Sequence, residues 1–358
     1  MKKQSGEKSA FEAMCDAQRL ACAPFEFEAA VCLRDFGILA FLDGAGDAGA
    51  ELSEIEKASG QSPYAVRALL EAGKGAELVE EKGGRWSLTK TGWFLQNDGL
   101  TRANFNFAAD VCYRGLASLK ESFEESRPAG LKELAPGAAT IYPVLRSLPE
   151  PARKSWFEYD HYFSDAAYRA CLPHVFESGP KAVYDVGGNN GKWSVLCAKE
   201  NPSVRMTVID LPPQCALALE NARAAGVGDR VDAFAADMLS DPALPSEADI
   251  WWMSQFLDCF GGEDIVRILK LVARTMKPGA RIFVLEPLIG CQPFPAGDRC
   301  LSAFSLYFTA MANGTSRFYT LSEFEGFVEA AGLAVEKAVH GLGIGHTLLV
   351  LRPGKEPA

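Results

Sequence analysis

From Lys181 onward the chain alternates short apolar runs with amphipathic segments, and this alternation limits the possible folds more than any other feature. The apolar runs are four or five residues long, at 182–186, 205–209, 231–235, 250–253 and 281–285. Segments with helical spacing of apolar residues lie between most of these runs, at 191–200, 213–225 and 263–276. Strands and helices that alternate at this length predict a parallel, doubly wound α/β sheet.

The end of the chain departs from this alternation. A helix is predicted at 321–331, and two strand-like runs follow at 334–339 and 347–351. The short connection between these runs predicts a hairpin, which adds an antiparallel pair to the edge of the sheet. We therefore predict an α/β fold with a Rossmann-like doubly wound sheet and an antiparallel edge hairpin.

The first half of the chain has mainly helical spacing of its apolar residues. A Gly/Asp-rich stretch at 43–49 interrupts it, and a serine-proline pair at 62–63 can begin a further helix. Two strand-like runs flank a glycine pair at 83–84, so residues 77–89 predict a hairpin. This is the element order of a winged helix. We predict a winged-helix-like domain at 1–105, a helical connector at 106–177 and a Rossmann-like domain at 178–358.

The charge of the chain argues against a nucleic-acid partner. The 358 residues carry a formal net charge of -10, and residues 25–95 contain 7 Lys/Arg against 12 Asp/Glu. A winged helix that reads DNA needs a basic recognition helix, whereas the segment 63–71 offers only Arg67. We therefore interpret the first domain as a packing or dimerisation module. A DNA-binding, ligand-sensing regulator stays open as an alternative from another class.

A glycine-rich turn follows the first predicted strand and precedes a helix, with the sequence Asp-Val-Gly-Gly-Asn-Asn-Gly at 185–191. Such a turn lets the backbone approach a ligand and presents helix N-terminal N–H groups to it. A nucleotide-triphosphate loop is excluded, because Trp193 follows Lys192 where that loop needs Ser or Thr. The dinucleotide pattern GxGxxG matches weakly, since Asn189 and Lys192 replace its second and third glycines.

An acid at the end of the second predicted strand favours an adenosine-containing cofactor. Asp210 lies 19 residues after Gly191, where a carboxylate suits the hydroxyls of a ribose. S-adenosylmethionine is the third ligand class that uses such a turn, and the carboxylate suits either this cofactor or a dinucleotide. The structural alternative is that the glycines only shape a turn and that Asp210 only caps the next helix before Pro212.

Four short motifs and one acid occur in an order that is specific in combination. They are residues 185–188 (Asp-Val-Gly-Gly), 208–212 (Val-Ile-Asp-Leu-Pro), 236–238 (Ala-Asp-Met), 277–281 (Lys-Pro-Gly-Ala-Arg) and Glu286. With them the sequence resembles, over nearly its whole length, the dimeric class I S-adenosylmethionine-dependent small-molecule O-methyltransferases. That group includes plant phenol and acetylserotonin methyltransferases and bacterial relatives. The resemblance implies a homodimer formed through the first domain.

The resemblance also implies a set of cofactor-binding residues. Gly187, Gly188 and Gly191 would hold the methionine part of S-adenosylmethionine, and Asp210 its ribose. Asp237 and Met238 would face the adenine, and the set is completed by Asp185, Leu211 and Ser254. Asn189 stands where the family has a third glycine, and asparagine tolerates the positive φ that such a turn needs.

The chain departs from the family at its catalytic residues. The family's catalytic histidine falls on Asp258 and one of its two supporting acids on Phe318, so that only Glu286 remains. Asp258 has three interpretations: a base with a raised pKa, a ligand for a substrate hydroxyl or ammonium, or a cap for the helix that begins near Gly262. His161 is the other candidate base, while His174, His340 and His346 fall where no pocket position is expected.

Aromatic residues and one methionine are expected to line the acceptor pocket. They are Tyr159, Phe256, Phe304, Tyr307, Phe308, Met311 and Phe318. The stripe at 304–311 has helical spacing and fits either core packing or a pocket wall. We expect methyl transfer to a small aromatic acceptor, most directly at a phenolic oxygen. The alternatives are C- or N-methylation of such a compound, and a cofactor-binding protein without catalysis.

The remaining features predict a reduced, metal-free protein of the cytosol. The ten cysteines form no CxxC pair, and none of the four histidines has metal-ligand spacing with another His or Cys. The uncharged stretch at 300–316 is too short and too polar to span a membrane. The polar start of the chain lacks the apolar region of a signal peptide.

Overall fold

A computed structural model describes residues 8–354, and the chain divides after Ala109 into two compact units. The helices of the first unit are α1 (Ala10–Asp35), α2 (Ile38–Ala45), α3 (Leu52–Ser59), α4 (Pro63–Gly75), α5 (Lys90–Asn97) and α6 (Gly99–Asn106). Its strands are β1 (Ala50–Glu51), β2 (Val79–Lys82) and β3 (Arg85–Leu88), which pair antiparallel in the order β1-β3-β2.

Local sequence signals account for the elements of the first unit. Ser62 caps α4 by accepting a hydrogen bond from the Ala65 N–H at 3.3 Å, with Pro63 at the first helical position. Gly83 and Gly84 have φ angles of 59° and 82° in the turn between β2 and β3, as the hairpin prediction requires. The buried apolar core of this unit includes Leu33, Ile38, Leu42, Ile55, Leu70 and Trp86.

The second unit contains the large sheet and the helices that cover it. A π-helical segment, Phe107–Cys112, follows α6. The helices are then α7 (Leu119–Glu125), α8 (Ala152–Phe176), α9 (Lys192–Glu200), α10 (Pro212–Ala224), α11 (Gly262–Thr275), α12 (Pro295–Tyr307) and α13 (Leu321–Ala330). The strands are β4 (Ala182–Val186), β5 (Arg205–Asp210), β6 (Val231–Ala235), β7 (Ile250–Ser254), β8 (Arg281–Pro287), β9 (Leu333–Leu342) and β10 (His346–Pro353).

The strand order of the large sheet is β6-β5-β4-β7-β8-β10-β9. The first five of these strands are parallel, and β10 pairs antiparallel with both β8 and β9. The predicted doubly wound sheet with an antiparallel edge hairpin is therefore confirmed. Because β5 and β7 lie on opposite sides of β4, the chain leaves a crevice at the carboxyl end of β4, where doubly wound sheets bind their ligands.

Apolar side chains cover both faces of this sheet. One face packs against α11 and α13, through residues that include Ile268, Leu269 and Phe324. The other face includes the stacked rings of Trp193 and Trp252, whose centroids are 4.1 Å apart. With both faces buried, the strands need continuous apolar runs, and such runs were the pattern that predicted them.

The structure does not bear on every sequence-based prediction. Between residues 8 and 354 no helix is long and apolar enough to cross a membrane. Over the same range no group of three His, Cys, Asp or Glu side chains could hold a metal ion. The cytosolic location and the division into three domains stay predictions.

Candidate active site

The glycine-rich turn at the end of β4 folds through three left-handed residues. Gly187, Asn189 and Gly191 have φ angles of 73°, 48° and 75°, so the expectation that Asn189 accepts a positive φ is confirmed. The Gly187 N–H donates to the carbonyl oxygen of Ile209 at 2.8 Å, and the Gly191 N–H donates to that of Gly188 at 2.8 Å. The first bond fastens the turn to the end of β5, and the second closes the turn directly before α9 begins.

Two of these glycines leave no room for a side chain. A Cβ atom on Gly187 would lie 2.1 Å from the ring of Phe256, and one on Gly188 would lie 2.8 Å from the Asp185 carboxyl group. The backbone of the turn is therefore in close contact with the Phe256 ring at Gly187 and with the buried Asp185 carboxyl group at Gly188. This close approach is what glycine permits and other residues do not.

Asp210 is hydrogen-bonded to the glycine-rich turn. Its two carboxylate oxygens accept hydrogen bonds from the N–H groups of Asn189 at 2.8 Å and Leu211 at 2.7 Å. Burial raises the pKa of Asp210, and these two N–H groups oppose that shift. The interpretation as a helix cap is wrong, because the N-cap of α10 is Leu211 and no side chain caps that helix. Each oxygen retains acceptor capacity for a further donor.

Asp185 lies beneath the turn. Its carboxyl group is buried and accepts a hydrogen bond from the Ser194 hydroxyl at 2.7 Å. Burial raises its pKa to about 7, and the charge of Asp210 adds to that shift. Because it packs under Gly188, Asp185 is placed to support the turn from below.

The remaining cofactor candidates follow β6 and β7 on the same edge of the sheet. Asp237 is exposed and accepts a hydrogen bond from the Leu239 N–H at 2.9 Å, which fixes the turn after β6. Met238 beside it is buried, and Ser254 is the last residue of β7. Parallel strands bring their carboxyl ends to one edge, so these residues share that edge with the glycine-rich turn.

Two buried acids meet where β7 and β8 end. Glu286 lies on β8, and its Oε1 accepts hydrogen bonds from the N–H groups of Phe256 at 3.1 Å and Leu257 at 2.9 Å. Asp258 follows in a single 3-10 turn, Leu257–Cys259, and only 6% of it is exposed. Asp258 Oδ1 also accepts a long hydrogen bond of 3.5 Å from the Cys259 thiol.

The two acids strongly influence each other's protonation. Burial raises the pKa of Asp258 to about 7 and raises the pKa of Glu286 well above its usual range, and the charge of Asp258 raises that of Glu286 further. Two buried carboxyl groups in one place do not both ionise readily, so the pair holds a proton near neutral pH. The helix-cap interpretation of Asp258 is wrong, because Gly261 is the N-cap of α11 and no side chain caps it.

Aromatic side chains of α8, α12 and the loop before α13 lie near the acid pair. The charge of Asp258 acts on the buried phenols of Tyr142 and Tyr159, and burial raises the pKa of both well above the usual range. Ring contacts link the predicted pocket residues in two groups. These are Tyr159 with Phe304, at 5.6 Å between centroids, and Phe308 with both Tyr307 and Phe318, at 5.2 Å and 5.1 Å.

The predicted stripe on α12 divides into two parts. The helix ends at Tyr307 and continues as a π-helical segment, Phe308–Ala312. Met311 is fully buried, and its sulfur lies so close to Gly115 that a Cβ there would be 1.9 Å away. Met311 therefore fits the core interpretation. The Tyr307 hydroxyl instead accepts a hydrogen bond from the Trp156 indole N–H at 2.7 Å.

His161 lies beside the glycine-rich turn. Its Nε2 is 3.4 Å from the amide nitrogen of Asn190, and its ring packs on Phe157 at 5.9 Å. Burial lowers its pKa, and the charge of Lys192 lowers it further. The imidazole is therefore neutral at pH 7. Among the contacts of the described residues, none joins His161 to Asp258.

Two further residues near the site, Gln255 and Asp160, were not predicted from the sequence. Gln255 bridges Asp160 on α8 and His346 on β10 through its side-chain amide. His346 was expected to lie away from the pocket, and its partner Gln255 directly precedes the candidate pocket residue Phe256. No sequence signal connects His346 to a loop 91 residues earlier, since only the pairing of β10 with β8 brings them together.

Two family models match the chain. A model for the O-methyltransferase domain matches residues 168–334, and a model for a Dimerisation2-like domain matches residues 15–86. The chain thus contains an O-methyltransferase domain and a Dimerisation2-like domain. The first match contains the glycine-rich turn, Asp210, Asp258 and Glu286, and the second contains most of the first unit.

Curated relatives of the family align with part of this chain. The 3-hydroxy-5-methyl-1-naphthoate 3-O-methyltransferase of Streptomyces sahachiroi is 28% identical over 203 residues, which are 54% of this chain and 57% of the relative. The L-tyrosine C(3)-methyltransferase of Streptomyces lavendulae is 23% identical over 232 residues, 64% of this chain and 62% of the relative. The chain thus matches roughly three-fifths of the length of these relatives.

Solved structures share the fold over nearly the whole chain. A mitomycin 7-O-methyltransferase superposes with a TM-score of 0.72 at 20% identity, covering 96% of this chain and 98% of the other. Human N-acetylserotonin methyltransferase, solved with S-adenosylmethionine, gives a TM-score of 0.66 at 18% identity, covering 99% and 100%. At this identity the likeness establishes the fold.

The raised pKa of Asp185 predicts a pH dependence of stability. The folded state keeps this carboxyl protonated up to about pH 7, whereas the unfolded chain loses the proton near pH 4. The unfolding free energy that Asp185 contributes is therefore lost as pH rises from about 4 to 7. For Asp185→Asn we expect the loss between pH 5 and pH 8 to shrink by about 2–3 kcal/mol, at ~1.36 kcal/mol per pH unit.

Urea unfolding of the ligand-free protein at pH 5 and pH 8 measures this difference. Asp232→Asn, on an exposed aspartate of β6, is the matched control and should leave the pH dependence as it is in the wild type. An unchanged pH dependence in Asp185→Asn would show that this acid is ionised in the folded protein.

Proposed function

We propose that this protein is an S-adenosylmethionine-dependent methyltransferase that methylates a small aromatic acceptor at a phenolic oxygen. The observation that carries this proposal is the anchoring of Asp210 to the glycine-rich turn at the switch point of the sheet. That arrangement brings a carboxylate and the backbone of the turn together at the carboxyl ends of β4 and β5. The match to the O-methyltransferase domain supports the same activity.

The residues of the crevice fit S-adenosylmethionine. A Cβ on Gly187 or Gly188 would fill space already occupied by Phe256 and Asp185, so the turn is built for close backbone contact with the methionine part. Asp210 would hold the ribose hydroxyls. Asp237 and Met238 would flank the adenine, with Leu211 and Ser254 beside them. The cofactor, when bound, supplies a methyl group activated by a sulfonium centre.

Asp210→Asn tests this assignment. Both carboxylate oxygens accept backbone N–H groups, and an amide would direct its NH₂ group at one of those donors. We expect the dissociation constant for S-adenosylhomocysteine, measured by isothermal titration calorimetry, to rise at least about tenfold, or ~1.4 kcal/mol. Asp232→Asn serves as the control. Wild-type affinity in Asp210→Asn would remove the ribose role.

We propose Asp258 as the base that accepts the proton of the phenol. Its carboxyl group is buried in the turn after β7, and burial raises its pKa to about 7, closer to the pKa of about 10 of a phenol. Glu286, fixed by the N–H groups of Phe256 and Leu257, keeps the proton that the pair holds near neutral pH, so that Asp258 is the ionised partner. Positioning of the acceptor contributes about 7–11 kcal/mol to such a displacement, and a base adds a factor of about 10²–10⁴.

Asp258→Asn should lower kcat by about 10²–10⁴ and leave the affinity for S-adenosylhomocysteine unchanged. In the wild type, activity should rise with pH through about pH 7, because the base works only when ionised. Asp258→His, which introduces the residue that the family has here, should keep more activity than Asp258→Asn. Asp264→Asn, on the first turn of α11, is the control. Wild-type turnover in Asp258→Asn would exclude Asp258 as the base.

C-methylation of the ring is a second candidate function. The replacement of the family's histidine by Asp258 favours it, because a ring carbon activated by a neighbouring hydroxyl attacks a methyl group without first losing a proton from oxygen. A related enzyme, the L-tyrosine C(3)-methyltransferase, is named for transfer to carbon.

S-adenosylmethionine with an isotopically labelled methyl group distinguishes these functions. The protein is incubated with phenols, catechols, aminophenols and hydroxybenzoates, and mass spectrometry locates the label. A labelled ether supports O-methylation, and a labelled ring carbon or nitrogen moves the assignment to the second candidate. Cofactor binding without any labelled product would contradict both and favour a non-catalytic or regulatory role. Binding of a random DNA duplex at low salt tests the regulatory role directly.

We propose that the first unit is a winged-helix-type module through which two copies of the chain associate. The match to a Dimerisation2-like domain supports this. Helix α1 exposes Phe11, Met14 and Phe25, whose spacing places them on one helix face. Such an apolar surface needs a partner.

Phe11→Glu combined with Phe25→Glu should convert a dimer into a monomer in light scattering at micromolar concentration, because both charges would enter the interface. Tyr64→Ser, which replaces an equally exposed aromatic residue on α4, is the control and should leave the dimer intact. A wild-type monomer, or a dimer that survives both charges, would contradict the proposed interface.

A further inference from the structure

Three side chains from distant parts of the chain form one hydrogen-bonded row, in which His346 is buried and Gln255 and Asp160 are partly buried. The His346 Nε2 lies 3.1 Å from the Gln255 Oε1, and the Gln255 Nε2 donates to the Asp160 Oδ1 at 3.3 Å. His346 begins β10, Gln255 follows β7 and Asp160 lies on α8. The mechanism proposed above uses none of the three.

The row has a defined direction. His346 is fully buried, and burial lowers its pKa to about 4, so the imidazole is neutral at working pH and one ring nitrogen carries hydrogen. Facing the Gln255 carbonyl oxygen, Nε2 is the nitrogen that donates. The NH₂ end of the Gln255 amide must then face Asp160. The opposite amide orientation would place the carbonyl oxygen against a carboxylate oxygen of Asp160.

The backbone at Gln255 is also unusual. Its φ is 46°, in the left-handed region that few residues other than glycine adopt. Its N–H donates to the Leu285 carbonyl oxygen at 3.1 Å, and the next residue, Phe256, lies against Gly187 and donates to Glu286. Conformations of this kind cluster at functional sites. Gln255 thus directly precedes the residue that contacts both the glycine-rich turn and Glu286.

Asp160 lies close enough to the acid pair, Asp258 and Glu286, for its charge to act there. Its charge acts on Asp258 and on the phenols of Tyr159, Tyr168 and Tyr307, and Lys192 and Asp165 act on it in opposite directions. Within residues 8–354 no Lys, Arg or His forms an ion pair with Asp160, and Gln255 is its hydrogen-bond donor. A carboxylate has acceptor sites for more than one donor.

We propose that His346 and Gln255 are positioning residues that hold Asp160 as a specificity-determining acid of the acceptor site. Asp160 accepts a hydrogen bond from a second donor on the aromatic acceptor, a hydroxyl or an amine, while the methylated oxygen faces Asp258. Aromatic acids are disfavoured, because Asp160, Asp258 and Glu286 repel a carboxylate. This inference rests on the proposed methyl transfer.

The positioning is tested by ¹⁵N NMR of the full chain labelled at histidine, which does not depend on activity. His346 is assigned from the signal lost in His346→Gln. We expect a neutral Nε2–H tautomer from pH 5 to 8, with a ¹⁵N shift that follows the titration of Asp160 near pH 6. That titration should vanish in Asp160→Asn and persist in Asp165→Asn. An Nδ1–H tautomer, or a titration that survives in Asp160→Asn, overturns the positioning.

The specificity is tested with acceptors that differ in one group: phenol, catechol, 2-aminophenol and salicylate. Asp160→Asn should reduce the preference in kcat/KM for catechol or 2-aminophenol over phenol at least tenfold and should improve salicylate relative to phenol. His346→Leu should raise KM for the preferred acceptor about tenfold at unchanged S-adenosylhomocysteine affinity. His346→Gln, which can still donate to Gln255, should restore KM to within about threefold.

The outcomes separate this inference from the proposed function. His340→Leu is the control, because His340 on β9 bonds Thr347 and lies outside the row. Equal increases in KM in His346→Leu and His346→Gln overturn the specificity role. An unchanged preference for catechol and 2-aminophenol over phenol in Asp160→Asn does the same, and in both cases the proposed methyl transfer stands. Absence of methyl transfer to every compound overturns the acceptor role, and the NMR titration still decides the positioning.

Discussion

The contact between Gly187 and Phe256 connects the two halves of the candidate site. The ring of Phe256 fills the space in which a side chain at position 187 would lie. The backbone N–H of the same Phe256 donates to Glu286. One residue therefore fixes the turn that holds the cofactor in our proposal and orients the acid next to Asp258. In our proposal the position of the cofactor relative to Asp258 depends on this packing, and methyl transfer requires the acceptor oxygen to be aligned with the methyl group.

The chemistry of the candidate site depends on buried acids that have few basic side chains beside them. Asp160, Asp185, Asp258 and Glu286 all have pKa values raised by burial. Each of them keeps a proton more readily than an exposed acid, at a cost in folding stability above neutral pH. Asp258 gains from this the basicity that an exposed carboxylate lacks. With Asp258 as the base that we propose, the site works near pH 7 without the histidine that the family has at this position.

The acid pair also changes what the site can discriminate. A histidine next to Glu286 would be neutral or cationic, whereas Asp258 next to Glu286 is neutral or anionic. With Asp160 as the second acid that we propose for the acceptor site, the interior favours acceptors that donate hydrogen bonds. The replacement of the family's histidine by Asp258 is consistent with methyl transfer to oxygen or to a ring carbon. In both proposed reactions the acceptor is a phenol that is oriented through its hydroxyl group.

The sequence alone determined the sheet and the cofactor half of the site. Apolar runs specify buried parallel strands because both faces of such a sheet are covered. The glycine-rich turn and Asp210 follow from local backbone geometry, and the structure joins them by a direct hydrogen bond at 2.8 Å. The turn and the strand that ends at Asp210 each leave a local pattern in the sequence, and the regular pairing of neighbouring parallel strands β4 and β5 brings them together.

Only the tertiary structure decided the acceptor half. The relation of Asp258 to Glu286 depends on the pairing of β7 with β8, and the row from His346 through Gln255 to Asp160 depends on where β10 and α8 pack. The division of the α12 stripe into Met311 in the core and Tyr307 beside Trp156 depends on the switch to a π-helix. Burial raises or lowers a pKa according to the surroundings in space, which the spacing of residues along the chain does not contain.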